Sequence, residues 1–315
     1  MNGALGAGDG GGGTKGAGAG EGPELQALRH RLAQLPPLRD VISAAGFGAK
    51  RSLGQHFLLD RNLTEKIAAT ARPSCADPDA PLLGMNILEI GPGPGGLTRS
   101  LLHAGARVVA VEKDARAAEV LAPLVAAASG RLTLHIADAL SVNWQSLVPP
   151  GTTICANLPY NVATPLITGW LTTDPWPPWW ASATVMVQKE VATRMVASAG
   201  EGAYGRLSVL TAARTHATAA FDIAPTAFVP PPKVFSTVVR LDPRPEAADV
   251  PTNELEKVTA AAFGQRRKML RSSLKGLGDA EGLLAGAGIA PTERAERIPV
   301  AGFLALASLL DERQM

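Results

Sequence analysis

From residue 24 onward the chain alternates between two hydrophobic periods. Short apolar runs at 86–90, 107–111, 132–136, 152–156 and 183–187 have the length of buried strands. Helix-spaced segments follow them at 97–104, 114–128, beyond Thr164, at 189–197 and at 204–214. Strands alternating with helices predict an α/β fold whose parallel sheet is covered on both faces. Residues 215–222 and 234–241 read as a late strand pair around a Pro-rich turn. Upstream, helical spacing over 24–45 is broken by Pro36-Pro37. Asp60 is placed to cap a helix reaching Ala71, with Leu63, Ile67 and Ala71 on one face. Residues 73–83 read as a loop, and beyond Pro251 the pattern is purely helical. The expected organisation is a Gly/Ala-rich disordered tail at 1–23, a sheet domain at 24–249 and a small all-helical domain at 250–315.

Composition narrows the chemistry. A net charge of +2 over 315 residues announces no nucleic-acid partner, so any basic footprint must be local. Two cysteines build neither a disulfide framework nor a four-thiolate metal site, and the five histidines show no ligand spacing, so no metal is expected. Cys155, inside an apolar strand, reads as a small core residue; Cys75 is assigned nothing. No apolar run reaches membrane-spanning length, and the first residues lack the apolar block of a secretory signal.

The chemistry-bearing residues fall at the ends of strands. Glu89-Ile90-Gly91-Pro92-Gly93-Pro94-Gly95-Gly96 joins the first strand to its helix, where glycines let the backbone approach a cofactor closely. Glu112 ends the second strand, the place of a carboxylate that holds ribose hydroxyls. The string also satisfies a dinucleotide pattern, but Pro92 and Pro94 remove amide donors and Glu89 would repel a diphosphate. A cofactor with an amino-acid end and no phosphate fits better. Asp138 ends the third strand as a candidate acceptor for an adenine amino group. Asn157-Leu158-Pro159-Tyr160 ends the fourth, combining an amide acceptor, a ring-locked backbone and an aromatic face for a base. Gly91, Glu112, Asp138 and Asn157 thus lie in one row at the carboxyl rim, where open parallel sheets bind ligands.

These residues carry a resemblance. From about Ser52 onward the chain is similar to the KsgA/RsmA family of bacterial small-subunit ribosomal RNA adenine dimethyltransferases. The matching strings are Leu53-Gly54-Gln55-His56-Phe57-Leu58, Glu89 to Gly93, Asn157 to Asn161, Gln188-Lys189-Glu190-Val191, Tyr204-Gly205-Arg206-Leu207-Ser208, Phe228-Val229-Pro230-Pro231-Pro232-Lys233-Val234 and Phe263-Gly264-Gln265-Arg266-Arg267-Lys268. Each is modestly specific; together, in this order, they are highly specific. The resemblance implies a Rossmann-like class I methyltransferase sheet with a helical C-terminal domain for RNA recognition. It implies S-adenosylmethionine as methyl donor, held by His56, Leu58, Gly91, Glu112, Asp138 and Asn157. His56 stands where the family often has Asn. The substrate implied is a pair of adjacent adenosines in the 3′-terminal hairpin loop of 16S rRNA, in an immature small subunit, acted on by a cytoplasmic monomer.

Catalysis is expected from Asn157 and the Leu158 carbonyl, which accept the hydrogens of the adenine amine, and from Tyr160, which stacks on the base. Phe228 is the candidate for the base's other face, with a core role weighed equally. Arg266, Arg267, Lys268 and Arg271, read as one helical segment with Leu270 and Leu274 as its apolar stripe, are the RNA-binding candidates. Lys50, Arg51, Arg194 and Arg206 add to a basic rim, and the Trp176–Trp180 run reads as a loop packed over the sheet. Three alternatives stay open: a large-subunit adenine methyltransferase of the macrolide-resistance type, a nicotinamide oxidoreductase, and a non-catalytic assembly factor.

Overall fold

The computed structural model describes residues 22–50, 53–72, 79, 81–249 and 251–313. Residues 1–21 of the expected tail, Arg51 and Cys75 lie outside the described residues. Each apolar run forms a strand: β2 (Asn86–Ile90), β3 (Arg107–Glu112), β4 (Leu132–Ile136), β5 (Thr152–Asn157) and β6 (Trp180–Gln188). These pair in parallel, while β7 (Thr215–Ile223) and β9 (Ser236–Pro243) add antiparallel at one edge. The seven-stranded order is β4-β3-β2-β5-β6-β9-β7. The order reverses at β2 and β5, which opens a crevice at their carboxyl ends.

The pleat sends alternate residues to two cores. Ile87, Val108, Cys155 and Met186 face α1 (Pro23–Ala33), α3 (Arg61–Thr70), α4 (Gly96–His103) and α5 (Ala117–Ala128). Leu88, Val111, Ile154 and Val185 face the other core, with α7 (Ala163–Leu171), α8 (Lys189–Val196) and α9 (Arg206–Arg214). Near-continuous apolar strands are the signature of a sheet buried on both sides. Cys155 is fully buried, and burial pushes its thiol pKa up, so it is a core residue.

Pro36-Pro37 separates α1 from α2 (Leu38–Ala44), and the Asp60 carboxylate caps α3 by accepting the Asn62 and Leu63 N–H groups at 2.8 and 3.3 Å. Helix α5 starts three residues later than its spacing predicts, because the Asp114 carboxylate turns back onto the Arg116 guanidinium, with a closest contact of 2.5 Å. Two short segments escaped the periodicity: α6 (Trp144–Leu147) and an antiparallel bridge of β1 (Phe57–Leu58) with β8 (Phe228–Val229).

The C-terminal helices α10 (Thr252–Gly264), α11 (Leu270–Ser273), α12 (Ala280–Gly286) and α13 (Val300–Glu312) share one continuous core with α9 and the sheet. Tyr204 meets the Phe263 ring edge-on at 5.9 Å, and Phe263 stacks on Phe303 at 5.4 Å. The Tyr204 hydroxyl donates to the Ile298 carbonyl at 2.9 Å. Arg214, 1% exposed, donates to the Ala247 carbonyl and the Thr252 hydroxyl and lies 4.7 Å from the Trp176 ring centroid. Trp176, Trp179 and Trp180 are buried; the first two lie in the loop as expected, whereas Trp180 opens β6 and pairs with Thr152.

Candidate active site

Between β2 and α4 the glycines permit a turn that other residues resist. Gly91 (φ 68°) donates its N–H to the Val111 carbonyl at 2.9 Å, and a Cβ on it would lie 3.3 Å from the Pro159 ring. A Cβ on Gly96 would lie 2.5 Å from the Leu58 carbonyl. The loop is therefore pressed between the Asn-Leu-Pro-Tyr turn and the β1 segment. Behind it, His56, Leu58, Gly91, Glu112, Asp138 and Asn157 line one cavity.

Three carboxylates face this space. Glu112, 5% exposed, accepts the Gly93 N–H at 3.1 Å and the Asp114 N–H at 2.9 Å. Burial pushes its pKa up, against those backbone donors. The Lys113 backbone N–H also favours its charged form. Asp138 holds the Lys113 ammonium at 2.7 Å and accepts the Leu140 N–H at 3.1 Å, which together draw its pKa down. Lys113 also lines the cavity; only its position after Glu112 marked it in the sequence. Glu89 is 1% exposed, and its Oε2 has no partner among the described residues. Burial pushes its pKa up to about 8, the Thr98 hydroxyl opposing and the Glu112 charge adding. A phosphate-free ligand that brings positive charge suits this acidic lining, and a diphosphate does not.

Glu89 carries a pH prediction. Its native carboxyl keeps a proton that the unfolded chain releases above about 4.5, so its stabilising contribution is full below that pH and is lost as pH rises toward 8. In E89Q, thermal melting between pH 5 and 9 should decline less steeply, by on the order of a few kcal/mol across the window. An unchanged slope would remove Glu89 as its source.

At the end of β5, Asn157 lines the cavity and its Nδ2 donates to the His56 carbonyl at 3.2 Å. The Leu158 N–H donates to the Met186 carbonyl at 3.2 Å, and Pro159 fixes the backbone φ that follows it. The Pro159 carbonyl accepts two N–H groups at the start of α7, so the turn is fastened at both ends. Tyr160 shares a 2.7 Å hydrogen bond with the Ser236 hydroxyl, and its ring lies 5.2 Å from that of His56. The His56 Nδ1–H donates to the Pro230 carbonyl at 2.8 Å. Ser236, unmarked in the sequence, thus fixes the Tyr160 ring. Phe228 is not brought to the cavity wall. It pairs with Leu58 across the β1–β8 bridge and is 2% exposed, so its ring packs in the core and offers no open face.

Comparison with known proteins decides what this constellation belongs to. A sequence profile described as ribosomal RNA adenine dimethylase matches residues 46–312. The chain belongs to that family. It is an S-adenosylmethionine-dependent rRNA adenine dimethylase. It is 55% identical over 280 residues to the ribosomal RNA small subunit methyltransferase A of Xanthobacter autotrophicus, covering 88% of this chain and 94% of the relative. It is 53% identical over 279 residues to the protein of the same name from Agrobacterium fabrum, covering 88% and 98%. Among solved structures, a dimethyladenosine transferase from Plasmodium falciparum shares the fold (TM-score 0.68, 22% identity, 82% of this chain and 99% of that one). The 23S rRNA methyltransferase ErmE is also similar (TM-score 0.58, 27% identity, 81% and 99%). The oxidoreductase reading is thereby set aside.

The basic run of this family member differs from its expected form. Residues 265–269 are a turn, and only Leu270–Ser273 is helical as α11. The helix stops at Gly264 because Arg266 reaches back to the Gly202 carbonyl at 2.7 Å and to Glu296 at 3.3 Å. Leu270 and Leu274 are fully buried, as the stripe predicted, while Arg267, Lys268 and Arg271 are exposed. Arg266 lines a cavity of about 360 Å³ together with Arg194 and Arg206, which pair with Glu296, Glu190 and Glu256 respectively. Lys50 pairs with Asp114 at 3.4 Å. Among the described residues no group of His, Cys, Asp or Glu is placed to hold a metal ion, and no helix is long and apolar enough to cross a membrane.

Proposed function

We propose that the chain dimethylates the N6 amines of two adjacent adenosines in the 3′-terminal hairpin loop of 16S rRNA. It acts as a cytoplasmic monomer on an immature small subunit late in assembly. The small-subunit target rests on the relatives more than half identical over most of the chain, against 27% for the large-subunit enzyme. The observation that carries the chemistry is the Asn157 amide, which lines the cavity with its nitrogen held by the His56 carbonyl.

S-adenosylmethionine, when bound, supplies a methyl group on a sulfonium, already activated for transfer. Glu112 and Asp138 are the residues suited to hold its ribose and adenine. An adenine amine is a poor nucleophile because its lone pair is delocalised into the ring. The Asn157 Oδ1 and the Leu158 carbonyl accept its two hydrogens, favour a pyramidal nitrogen and return that lone pair. The nitrogen would form the new N–C bond as the S–CH3 bond breaks and its electron pair returns to sulfur, leaving a neutral thioether, and one N–H proton would then leave to solvent. Catalysis is then alignment and electrostatics. Tyr160, fixed by Ser236, stacks on the extruded base, and Phe228 supports Leu58 from behind.

The test is methyl transfer to isolated small and large subunits lacking the modification, with the product nucleotide mapped. Incorporation into large subunits alone would overturn the reading. For the RNA surface, R267A and K268A should each weaken subunit binding and reduce its salt slope by about one, with cofactor affinity unchanged. R266A should in addition lower the melting temperature, because Arg266 ties the turn to Gly202 and Glu296. An unaltered salt slope in all three variants would take the RNA contact elsewhere.

A further inference from the structure

Single exposed apolar side chains are ordinary, but a cluster at the mouth of a site is not. Val229, Val234 and Phe235 are 47%, 41% and 49% exposed. Phe235 is the only aromatic among the exposed large hydrophobics of the described residues. It directly precedes β9, whose first residue, Ser236, pairs with Gln188 at the carboxyl end of β6. Phe235 therefore stands at the same rim as Asn157, directly beside the Ser236 whose hydroxyl holds Tyr160. That placement suits the neighbour of a base seated at Tyr160.

The segment is built to hold its place. The Phe235 carbonyl accepts the Lys189 N–H at 2.9 Å. Ser236 holds the Tyr160 hydroxyl, and the Pro230 carbonyl accepts from His56. One connected stretch thus carries the open Phe235 ring and braces both rings of the catalytic wall. The Lys189 ammonium lies 5.9 Å from the Phe235 ring centroid and holds Asp222 at 2.6 Å, keeping two of its three N–H donors. Lys233 is exposed on the same stretch. An aromatic face beside cations is what single-stranded nucleic acid uses, since every base has a π-face and every linkage a phosphate.

We propose that Phe235 and Lys189 form a subsite for the nucleotide adjacent to the extruded adenosine, its base stacked on the Phe235 ring and its phosphate on the Lys189 ammonium. This rests on the rRNA adenine dimethylase reading and extends it to a second nucleotide. Phe235 takes the role of an exposed aromatic platform that Phe228, buried in the core, does not fill.

The test uses the full-length enzyme and small subunits lacking dimethyladenosine. F235A should raise the KM for subunits about tenfold, with kcat changed less and S-adenosylmethionine affinity by calorimetry unchanged. F235W should restore KM to near the unaltered value, which a merely structural role would not predict. With Phe235→p-benzoylphenylalanine, photo-crosslinks should map to the nucleotide beside the methylated adenosine. An unchanged KM in F235A, or crosslinks confined to a ribosomal protein, would overturn the subsite. Failure of the unaltered chain to methylate small subunits would instead overturn the underlying reading.

Discussion

Replacing Asn157 by alanine should lower turnover about a hundred- to a thousandfold, the cost of removing one oriented group that acts on developing charge. The affinity for S-adenosylmethionine should change only a few-fold. Residue 157 ends β5 and pairs there with Met186 of β6, and the Leu158 N–H is held by the Met186 carbonyl, so its backbone does not shift to compensate. The side chain is further held by the His56 carbonyl. Alanine leaves that carbonyl without its donor, a loss of roughly 1 kcal/mol of stability. The larger loss is the acceptor that pyramidalises the target amine. N157D separates the two effects: it keeps an acceptor but turns a charged oxygen toward the His56 carbonyl. Its turnover should fall between those of the unaltered enzyme and N157A. Single-turnover methyl transfer measured beside calorimetric cofactor binding checks the ordering. Near-normal turnover in N157A would remove the amide from the chemistry.

The central sheet was legible because each buried strand is a short apolar run, four of the five preceded by a glycine within two residues, and because Glu112 and Asp138 mark strand ends. Glu112, Asp138 and Asn157 were found by position alone, and the structure brings them to one cavity. What periodicity missed is set by contacts distant in sequence. The bridge of β1 and β8 joins two-residue segments too short to show a period, and it alone decides that Phe228 is buried. Phe235, by contrast, stands open at the start of β9 beside a lysine from another helix. The basic run read as helix because Arg and Lys are good helix formers. It turns because Arg266 finds the Gly202 carbonyl and Glu296, partners that helical spacing does not reveal. Ser236 gave no local signal either, since its hydroxyl matters only through Tyr160.

Replacing Glu112 by alanine should weaken S-adenosylmethionine binding about a hundredfold or more, because contacts of a carboxylate to two hydroxyls are charge-assisted. The substitution has a second effect that a simple binding residue would lack. The Gly93 and Asp114 N–H groups both lose their acceptor in a buried setting, each at about 1–3 kcal/mol. The glycine loop should therefore loosen as the ligand contact is lost, and the melting temperature should fall with the affinity. E112Q keeps one carbonyl for these donors but turns an amide N–H₂ toward the other, so it should rank between the unaltered enzyme and E112A on both measures. The substitution also removes the negative charge that helps hold the Glu89 proton. In E112A the Glu89 carboxyl should ionise at lower pH, so the decline of stability with rising pH, which still starts near 4.5, should level off sooner and be smaller in total. Calorimetric binding and melting curves across pH 5–9 read all three effects. Normal cofactor binding by a folded E112A would mean that the carboxylate at the end of β3 does not hold the ribose.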